Sequence, residues 1–228
     1  MKSCQNTVRP DISKIMKHCS IIAREGTPFI ISLGILVVIF AFAGVVWAAA
    51  LFFIATLFVT WFFRNPERNT PGDEKAVISP ADGKILRVEE ITEDTILKGR
   101  FKKISIFMSI FDVHVNRIPY SGRVDSIVYR KGKFFSANLD KASSLNERNS
   151  ILVTTDDGQE ILTIQIAGLI ARRIVCWIKE GMKVAKGERF GLICFGSRLE
   201  VFLPLDSTIS VKVGDRVKGG ETPIGYLT

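Results

Sequence analysis

The sequence predicts a mostly β protein, with a single sandwich- or barrel-like domain preceded by an N-terminal helical membrane hairpin. Three observations support this fold class. Residues 26–63 contain no charged side chain, residues 75–203 consist of short apolar and β-branched runs, and turn-forming residues separate those runs. Short runs that recur at intervals of about ten residues are typical of β-sandwiches and β-barrels.

The uncharged segment predicts two short helical spans or a re-entrant hairpin. As one helix, its 38 residues would extend about 57 Å, nearly twice the roughly 30 Å core of a bilayer. Gly44 lies near its middle and permits a bend. A cleaved signal peptide would be shorter and would start earlier. Basic residues flank both ends, so both ends are expected in the cytoplasm. They are Lys14, Lys17, Arg24, Arg64 and Arg68.

Composition restricts the domain organisation and the partners. Residues 1–25 are expected to form a cytoplasmic lead, residues 26–63 the membrane hairpin and residues 64–228 the main domain. The net charge is +8, but no nucleic-acid-binding motif is present. Anionic lipid is therefore the simpler partner, with a merely solubilising surface as the alternative. The four cysteines show no metal-ligand spacing, which indicates free thiols in a reducing compartment.

Ten strands and one helix are predicted in the main domain. Each strand run alternates or is rich in β-branched residues, and charged or Gly- and Pro-containing turns separate the runs. The strands are expected at residues 76–79, 84–89, 103–108, 113–118, 123–129, 151–155, 161–166, 174–178, 190–195 and 199–203, and the helix at residues 138–145.

Two weak internal repeats indicate the type of turn. Residues 180–188 recur in outline at residues 213–221, and residues 79–85 are echoed at residues 118–124. In these patterns glycine supplies the turn dihedrals and valine fills the core. Such turns are similar to those of lipoyl- or biotinyl-type hybrid sandwiches. The similarity predicts a fold and not a function.

The pair Gly196-Ser197, between two apolar runs, is the main candidate for chemistry. Glycine can hold a peptide in a strained geometry that lets the following hydroxyl attack the preceding carbonyl. The peptide would then become an ester, and elimination with loss of ammonia would leave a pyruvoyl group at residue 197. The alternative is an ordinary Gly-Ser tight turn.

Two further residues are candidates for acid and base chemistry. His114 is the only histidine after the apolar segment, and a serine hydroxyl needs a base to become a nucleophile. Asp82 lies in a Pro-Ala-Asp-Gly turn. The alternatives are a structural histidine and a turn-stabilising aspartate. Arg172 and Arg173 would suit a phosphate or a carboxylate, or would simply be solvated.

Several motifs, taken in order, resemble those of one family. They are residues 107–119 (FMSIFDVHVNRIP), 138–143 (NLDKAS), 146–149 (NERN), 165–168 (QIAG), 171–176 (ARRIVC), 189–191 (RFG) and 195–198 (FGSR). Together they resemble phosphatidylserine decarboxylase proenzymes of the short, membrane-associated type. The resemblance covers about residues 63–203.

The resemblance implies a pyruvoyl-dependent carboxy-lyase that converts phosphatidylserine to phosphatidylethanolamine without a metal. It implies self-cleavage between Gly196 and Ser197 into a β chain (residues 1–196) and an α chain (residues 197–228). Ser197 would become the pyruvoyl group that captures the substrate amine, with His114 and Asp82 as the acid/base pair. Longer members have a second histidine where this chain has Arg117, and arginine cannot act as a base at neutral pH.

The implied partners are the membrane phospholipid substrate and the two chains of the same proenzyme, paired as a heterodimer with any higher oligomer left open. No nucleic acid is expected, and the main domain is expected on the cytoplasmic side of the inner membrane. The alternative hypothesis is a noncatalytic membrane-anchored adaptor or a lipoyl-type carrier module. A carrier needs a modifiable lysine at a hairpin tip, and an adaptor would carry long coiled-coil heptads. The sequence shows neither feature clearly.

Overall fold

A computed structural model describes residues 20–135, 145–168, 173–194 and 196–228. The chain divides into two compact units, Met1–Pro66 and Glu67–Thr228, which are described separately. The helix predicted at residues 138–145 lies outside the described residues except for its last position. The division into lead, membrane hairpin and catalytic domain stays a prediction.

The first unit is built on two apolar helices, α1 (Thr27–Phe42) and α2 (Val46–Phe62). Gly44, between them, has a φ of 74°, a left-handed conformation that glycine adopts without steric cost. The chain bends there, as the sequence indicates. The rings of Phe40 and Phe52 stack with centroids 5.3 Å apart, so the two helices pack side by side.

The properties of this unit suit membrane association. By length and composition, the helical segment Arg24–Phe42 can cross a membrane, and Val46–Phe62 is a shorter apolar helix. Large apolar side chains are exposed along both helices, and exposed apolar surface of this extent marks a contact with lipid or protein. The Ala23 N–H donates to the Phe63 carbonyl at 2.8 Å. The chain therefore enters and leaves the helix pair at the same end.

The second unit consists of antiparallel strands in one large and two small sheets. Among the described residues, the large sheet has the order β13-β2-β3-β11-β7-β6-β5-β9 and curls into a half-barrel, and the small sheets have the orders β4-β10-β8 and β1-β14-β12. The strands are β1 (Ala76–Ile78), β2 (Gly83–Glu93), β3 (Gly99–Met108), β4 (Val115–Arg117), β5 (Gly122–Arg130), β6 (Arg148–Thr154), β7 (Glu160–Ala167), β8 (Ile174–Cys176), β9 (Lys183–Val184), β10 (Arg189–Ile193), β11 (Ser197–Pro204), β12 (Thr208–Ile209), β13 (Arg216–Val217) and β14 (Pro223–Tyr226).

The prediction of a mostly β fold is confirmed. Each of the ten predicted strands is present, with ends shifted by a few residues. Strands β9, β12, β13 and β14 were not predicted. They are two to four residues long, so the alternation of apolar and polar positions that identifies a strand has no room to develop.

Among the described residues, the larger apolar core cluster lies on one face of the large sheet, and a smaller one lies on the other. On β11, Leu199, Val201 and Leu203 are fully buried, together with Ile104 and Ile106 of the neighbouring β3. Burying a side chain of this size contributes about 1.5 to 3 kcal/mol. Because successive side chains of a strand point to opposite faces, the first residue of β11 also faces this core.

The internal repeats are related by an approximate twofold arrangement of backbone hydrogen bonds. The bond from the Gly181 N–H to the Val124 carbonyl corresponds to that from the Gly214 N–H to the Ile85 carbonyl. The bond from the Gly187 N–H to the Ile118 carbonyl corresponds to that from the Gly220 N–H to the Ser79 carbonyl. The bond from the Arg117 N–H to the Pro80 carbonyl corresponds to that from the Ile78 N–H to the Pro119 carbonyl. The four glycines have φ values between 81° and 99°. The prediction that glycine supplies the dihedrals of both repeated turns is therefore confirmed, and their likeness to lipoyl-type turns stays a prediction.

One half of this arrangement is continuous and the other is interrupted. The continuous half consists of strands β4 to β10, which are consecutive in the sequence. The interrupted half consists of their counterparts, β1 to β3 and β11 to β14, which lie on either side of that stretch. In the continuous half, β6 and β7 pair as a hairpin closed by Thr154 and Glu160. The corresponding pair, β3 and β11, ends at Met108 and Ser197. Ser197 is therefore the point where the chain returns to pair with β3 after completing the continuous half.

Replacing Gly220 by alanine is expected to destabilise the protein more than replacing Gly214. Both glycines have positive φ, which costs an alanine about 1 to 2 kcal/mol. A Cβ on Gly220 would also lie 2.5 Å from Cδ of the buried Arg117, whereas a Cβ on Gly214 would meet nothing within 4 Å. Overpacking adds about 1 to 3 kcal/mol. Thermal unfolding in detergent measures the difference, and equal midpoints would contradict the packing of Arg117.

Candidate active site

Ser197, the first residue of β11, is fully buried. It pairs with Met108 of β3 on one side and with Ala167 of β7 on the other, so its backbone is held from both sides. The Ser197 hydroxyl donates to Met108 Sδ at 3.3 Å. Because a thioether is a weak acceptor, the hydroxyl proton is oriented without being held strongly.

The peptide before Ser197 has the unusual conformation that the sequence predicts. Gly196 has a φ of 65°, where any residue with a side chain is strained. A lack of space does not explain the glycine, because a Cβ there would come no closer than 4.0 Å to any atom beyond the neighbouring residues, the nearest being Ile110 Cγ2. The backbone conformation itself therefore requires glycine. Phe195, which precedes it, lies outside the described residues.

His114 lies next to Gly196, and it is 2% exposed. Its Nε2 accepts the Gly196 N–H at 3.3 Å, and its Nδ1 lies 3.0 Å from the Asp112 carbonyl oxygen. The nitrogen that faces a carbonyl carries the proton, and the nitrogen that accepts an N–H carries the lone pair. These contacts assign the neutral Nδ1–H tautomer, with the Nε2 lone pair directed at the Gly196 nitrogen.

The turn that contains Asp112 is fixed by its own hydrogen bonds. Ser109 donates its N–H and its hydroxyl to Asp112 Oδ2, both at 2.8 Å. The Asp112 N–H donates back to the Ser109 carbonyl at 3.0 Å, and the Phe111 N–H donates to Ser109 Oγ at 3.3 Å. The carbonyl that orients His114 is thus held rigidly. Sequence reasoning missed this turn, although Ser-x-x-Asp spacing is a recognisable local signal.

Asp82 lies in the same unit, but both of its carboxylate oxygens have other partners. Oδ2 accepts from Arg68 Nη2 at 2.7 Å, and Oδ1 accepts the Gly219 N–H at 2.7 Å. Burial raises the pKa of Asp82, and the Arg68 charge and the Gly219 N–H offset part of that increase. Sequence reasoning placed Arg68 only at the edge of the membrane segment. Its pairing with Asp82 has no signal in the sequence.

Arg117 is a buried cation in this structure. Its Nη1 donates to the Gly187 carbonyl at 2.9 Å. Burial, with the nearby charges of Arg189 and Arg68, lowers the pKa of Arg117 to about 10. A guanidinium with that pKa is still protonated at neutral pH. Arg117 therefore supplies a charge and a hydrogen bond to the turn at Gly187.

Three buried amide side chains continue from Met108 into the domain. Asn116 Nδ2 lies 3.7 Å from Met108 Sδ, Gln165 Nε2 donates to Asn116 Oδ1 at 2.8 Å, and Asn149 Nδ2 donates to Gln165 Oε1 at 3.0 Å. A connected buried polar network fixes the position of each member. Met108 Sδ is thereby placed between this network and the Ser197 hydroxyl. All three amides lie in motifs that carry the family resemblance, but sequence reasoning gave them no role of their own.

The structure adds less about the cysteines and the arginine pair that the sequence singled out. Cys176 and Cys194 are not joined in a disulfide. Arg172 lies outside the described residues, and Arg173 accepts the Cys194 N–H through its carbonyl at 3.1 Å. Anion binding by this arginine pair stays a prediction. Within the described ranges, no group of three or more His, Cys, Asp or Glu side chains is placed to hold a metal ion.

Comparison with known proteins identifies the family. A family model described as phosphatidylserine decarboxylase matches residues 55–225. This chain belongs to the phosphatidylserine decarboxylase family. It is 60% identical over 212 residues to the phosphatidylserine decarboxylase proenzyme of Syntrophus aciditrophicus (strain SB), covering 92% of this chain and 99% of that protein.

More distant relatives agree in name and coverage. The phosphatidylserine decarboxylase proenzyme of Desulfotalea psychrophila is 47% identical over 206 residues, and that of Geobacter sulfurreducens is 47% identical over 211 residues. Each alignment covers 90% of this chain and 96% of the relative. The family resemblance carried by the sequence motifs is therefore confirmed.

Replacing Met108 by leucine is expected to slow proenzyme cleavage. The volume is nearly conserved, but the acceptor of the Ser197 hydroxyl is removed. Loss of one weak hydrogen bond predicts a two- to tenfold slower cleavage, roughly. A time course of uncleaved chain after synthesis, read by mass spectrometry, measures the rate. Ile106→Leu on the same strand is the control, and equal rates for the two variants would contradict the role of Met108.

Proposed function

We propose that this chain is a proenzyme that breaks its own Gly196–Ser197 peptide bond and then decarboxylates phosphatidylserine to phosphatidylethanolamine. The single observation that carries the proposal is the contact of His114 Nε2 with the Gly196 N–H, at 3.3 Å, directly before the buried Ser197 hydroxyl. Extensive identity to a protein named as a proenzyme of this activity supports it.

In the proposed cleavage, Ser197 Oγ attacks the Gly196 carbonyl carbon and gives its proton to a base. The peptide C–N bond breaks as the ester C–O bond forms, and the Ser197 nitrogen becomes an amine. Removal of the Ser197 Cα proton then expels the Gly196 carboxylate. One water enters, one ammonia leaves, and residue 197 ends as a pyruvoyl group. His114 is proposed as the base, because its Nε2 lone pair faces the Gly196 N–H, one peptide unit before the bond that breaks.

The surroundings of residue 197 fit a carbonyl group made from the serine's own atoms. The residue is fully buried, and β11 keeps its pairing with β3 and β7 when the preceding peptide breaks. The site is therefore positioned and shielded without any added ligand. A pyruvoyl group supplies a carbonyl that captures the substrate amine and accepts the electron pair left by departing carbon dioxide.

His114 and Asp82 are proposed to handle protons during turnover. The bond from His114 Nδ1 to the Asp112 carbonyl keeps Nε2 facing Gly196, directly before residue 197, where a proton can be taken up or delivered. The raised pKa of Asp82 lets it keep a proton at higher pH than an exposed aspartate does. Arg68 and the Gly219 N–H fix the position of that carboxyl group.

The α and β chains are proposed to remain together as a heterodimer after cleavage. The α chain supplies β11, which lies between β3 and β7 of the β chain, and β14, which pairs with β1 of the β chain. Separation would remove a central strand and expose the apolar core around Leu199 and Val201. The interrupted half of the twofold arrangement therefore joins the two chains.

The catalytic domain is proposed to act at the cytoplasmic face of the inner membrane. The apolar segment Arg24–Phe42 supports an anchor, and the shared entry and exit end of the helix pair supports flanks on one side. Arg64 lies 3.9 Å from the centroid of the Trp61 ring, a pairing suited to the headgroup region. Basic flanks favour the cytoplasmic side.

The intact masses of the purified protein and of Ser197→Ala test the proposal. The unaltered protein is expected as two species, of which the smaller comprises residues 197–228 and lacks one ammonia relative to a chain that starts with serine. Ser197→Ala lacks the nucleophile, so it is expected as a single chain close to 25.4 kDa that is inactive. Normal decarboxylation by Ser197→Ala would refute the role of Ser197.

His114→Gln supplies a second arm of the same experiment. Glutamine Oε1 can still accept the Gly196 N–H, but an amide takes up no proton at neutral pH. Loss of general base catalysis predicts cleavage slower by a factor of about 100 or more. Release of the small chain at the unaltered rate would remove His114 from the mechanism and leave the role of Ser197 intact.

A further inference from the structure

We infer that two adjacent turns, residues 109–112 and 212–216, form a docking edge that contacts an anionic lipid bilayer next to the active site. The inference rests on the proposed function, because it concerns how a domain reaches a substrate held in a bilayer. It assigns a lipid contact to the second unit itself, in addition to the apolar helices of the first.

Each turn of the docking edge presents a large apolar side chain to solvent. Phe111 is 64% exposed and Val213 is 62% exposed. Single exposed apolar residues are common on protein surfaces and carry no argument alone. The case depends on their shared location, their rigid support and the charges around them.

The two turns lie at the same place on the domain. Arg216 Nη1 is 3.5 Å from Asp112 Oδ1, which joins the second turn to the first. Strand β13, which begins at Arg216, pairs with β2, and β2 pairs with β3, which leads directly into the first turn. Phe111 and Val213 therefore project from one edge of the large sheet.

Both turns are rigid and use the same local device. In the first, Asp112 accepts from Ser109, as described above. In the second, the Lys212 N–H donates to Asp215 Oδ2 at 3.0 Å, and the Asp215 N–H donates to the Lys212 carbonyl at 3.1 Å. An apolar tip on a preformed turn loses little conformational entropy when it inserts into another phase. This support makes the tips suitable for shallow insertion.

The charges around the tips favour an anionic surface. Four exposed cations lie on the second turn or beside it in the sheet, against three nearby carboxylates, those of Asp112, Asp215 and Glu221. Asp112 also pairs with Arg216, Asp215 accepts from its own turn, and Glu221 lies 4.0 Å from Lys218. Apolar tips surrounded by cations match a bilayer, where acyl chains lie beneath anionic headgroups. The cations are Lys84, Lys212, Arg216 and Lys218.

The docking edge is continuous with the active site. Asp112 orients His114 through its carbonyl, and Ile110 Cγ2 lies 4.0 Å from the position of a Cβ on Gly196. Phe111 is the residue between these two. Contact of Phe111 with the bilayer therefore brings the headgroup layer close to residues 196 and 197, where the proposed chemistry takes place.

The test uses the full chain and two forms of the substrate. Phosphatidylserine is presented in vesicles of phosphatidylcholine and phosphatidylglycerol, and a short-chain phosphatidylserine is presented as soluble monomers. For Phe111→Ser we expect the KM for vesicle substrate to rise about tenfold, as loss of a buried phenylalanine predicts. Self-cleavage and turnover of the soluble substrate stay unchanged, because residue 111 holds the turn through its main-chain N–H, which serine retains. Tyr129→Ser, which removes another exposed aromatic side chain, is expected to change neither.

Two further variants separate the apolar and the electrostatic contributions. Val213→Ser, on the other turn, is expected to raise the same KM without altering soluble turnover. The double variant Lys212→Ala with Arg216→Ala is expected to remove the dependence of the vesicle rate on phosphatidylglycerol content. Both outcomes follow from a contact that combines insertion with attraction to anionic headgroups.

Three results would overturn the inference. If Phe111→Ser and Val213→Ser lost activity equally on vesicle and soluble substrate, the substitutions would have disturbed the folded domain and not a bilayer contact. An unchanged KM for vesicle substrate in both variants would show that the edge does not meet the bilayer. A change of oligomeric state in light scattering would make the edge an interface between copies. Failure of the unaltered protein to decarboxylate either substrate would instead refute the proposed function.

Discussion

The contact between His114 Nε2 and the Gly196 N–H is the interaction on which the rest of the site depends. It requires a left-handed glycine, because the peptide must turn its N–H toward the imidazole at the point where β11 begins. It also requires the fixed carbonyl of Asp112, which keeps the proton on Nδ1 and leaves Nε2 as the acceptor. A strained peptide, a neutral base and a buried hydroxyl thus meet within two residues of chain.

The approximate twofold arrangement explains why a chain break at this position is compatible with the fold. In the continuous half, the corresponding strands β6 and β7 are joined by a short hairpin. In the interrupted half, β3 and β11 stay paired along their length although the intervening chain makes a long excursion. Cleavage before Ser197 removes one covalent connection and none of the strand pairing of β11. The new chain end is therefore held in place by its neighbours.

The sequence predicts the fold class, the glycine-containing turns and the placement of Ser197 at a strand junction, because periodicity and glycine position are local signals. The motifs around Ser197 and His114 also carry the family. The contacts of Asp82 with Arg68, and of Ser197 with Met108, join residues distant in sequence, and no local pattern encodes them. His114 is oriented by the main-chain carbonyl of Asp112, a group that every residue possesses and that no sequence pattern marks.

The central claim is that residue 197 becomes a reactive carbonyl at a new chain end. Treating the purified protein with an aminooxy reagent, followed by mass spectrometry of the separated chains, tests it most directly. The account predicts one label per small chain, attached at residue 197. A cleaved protein whose small chain takes up no label, or a label found only on the large chain, would contradict it.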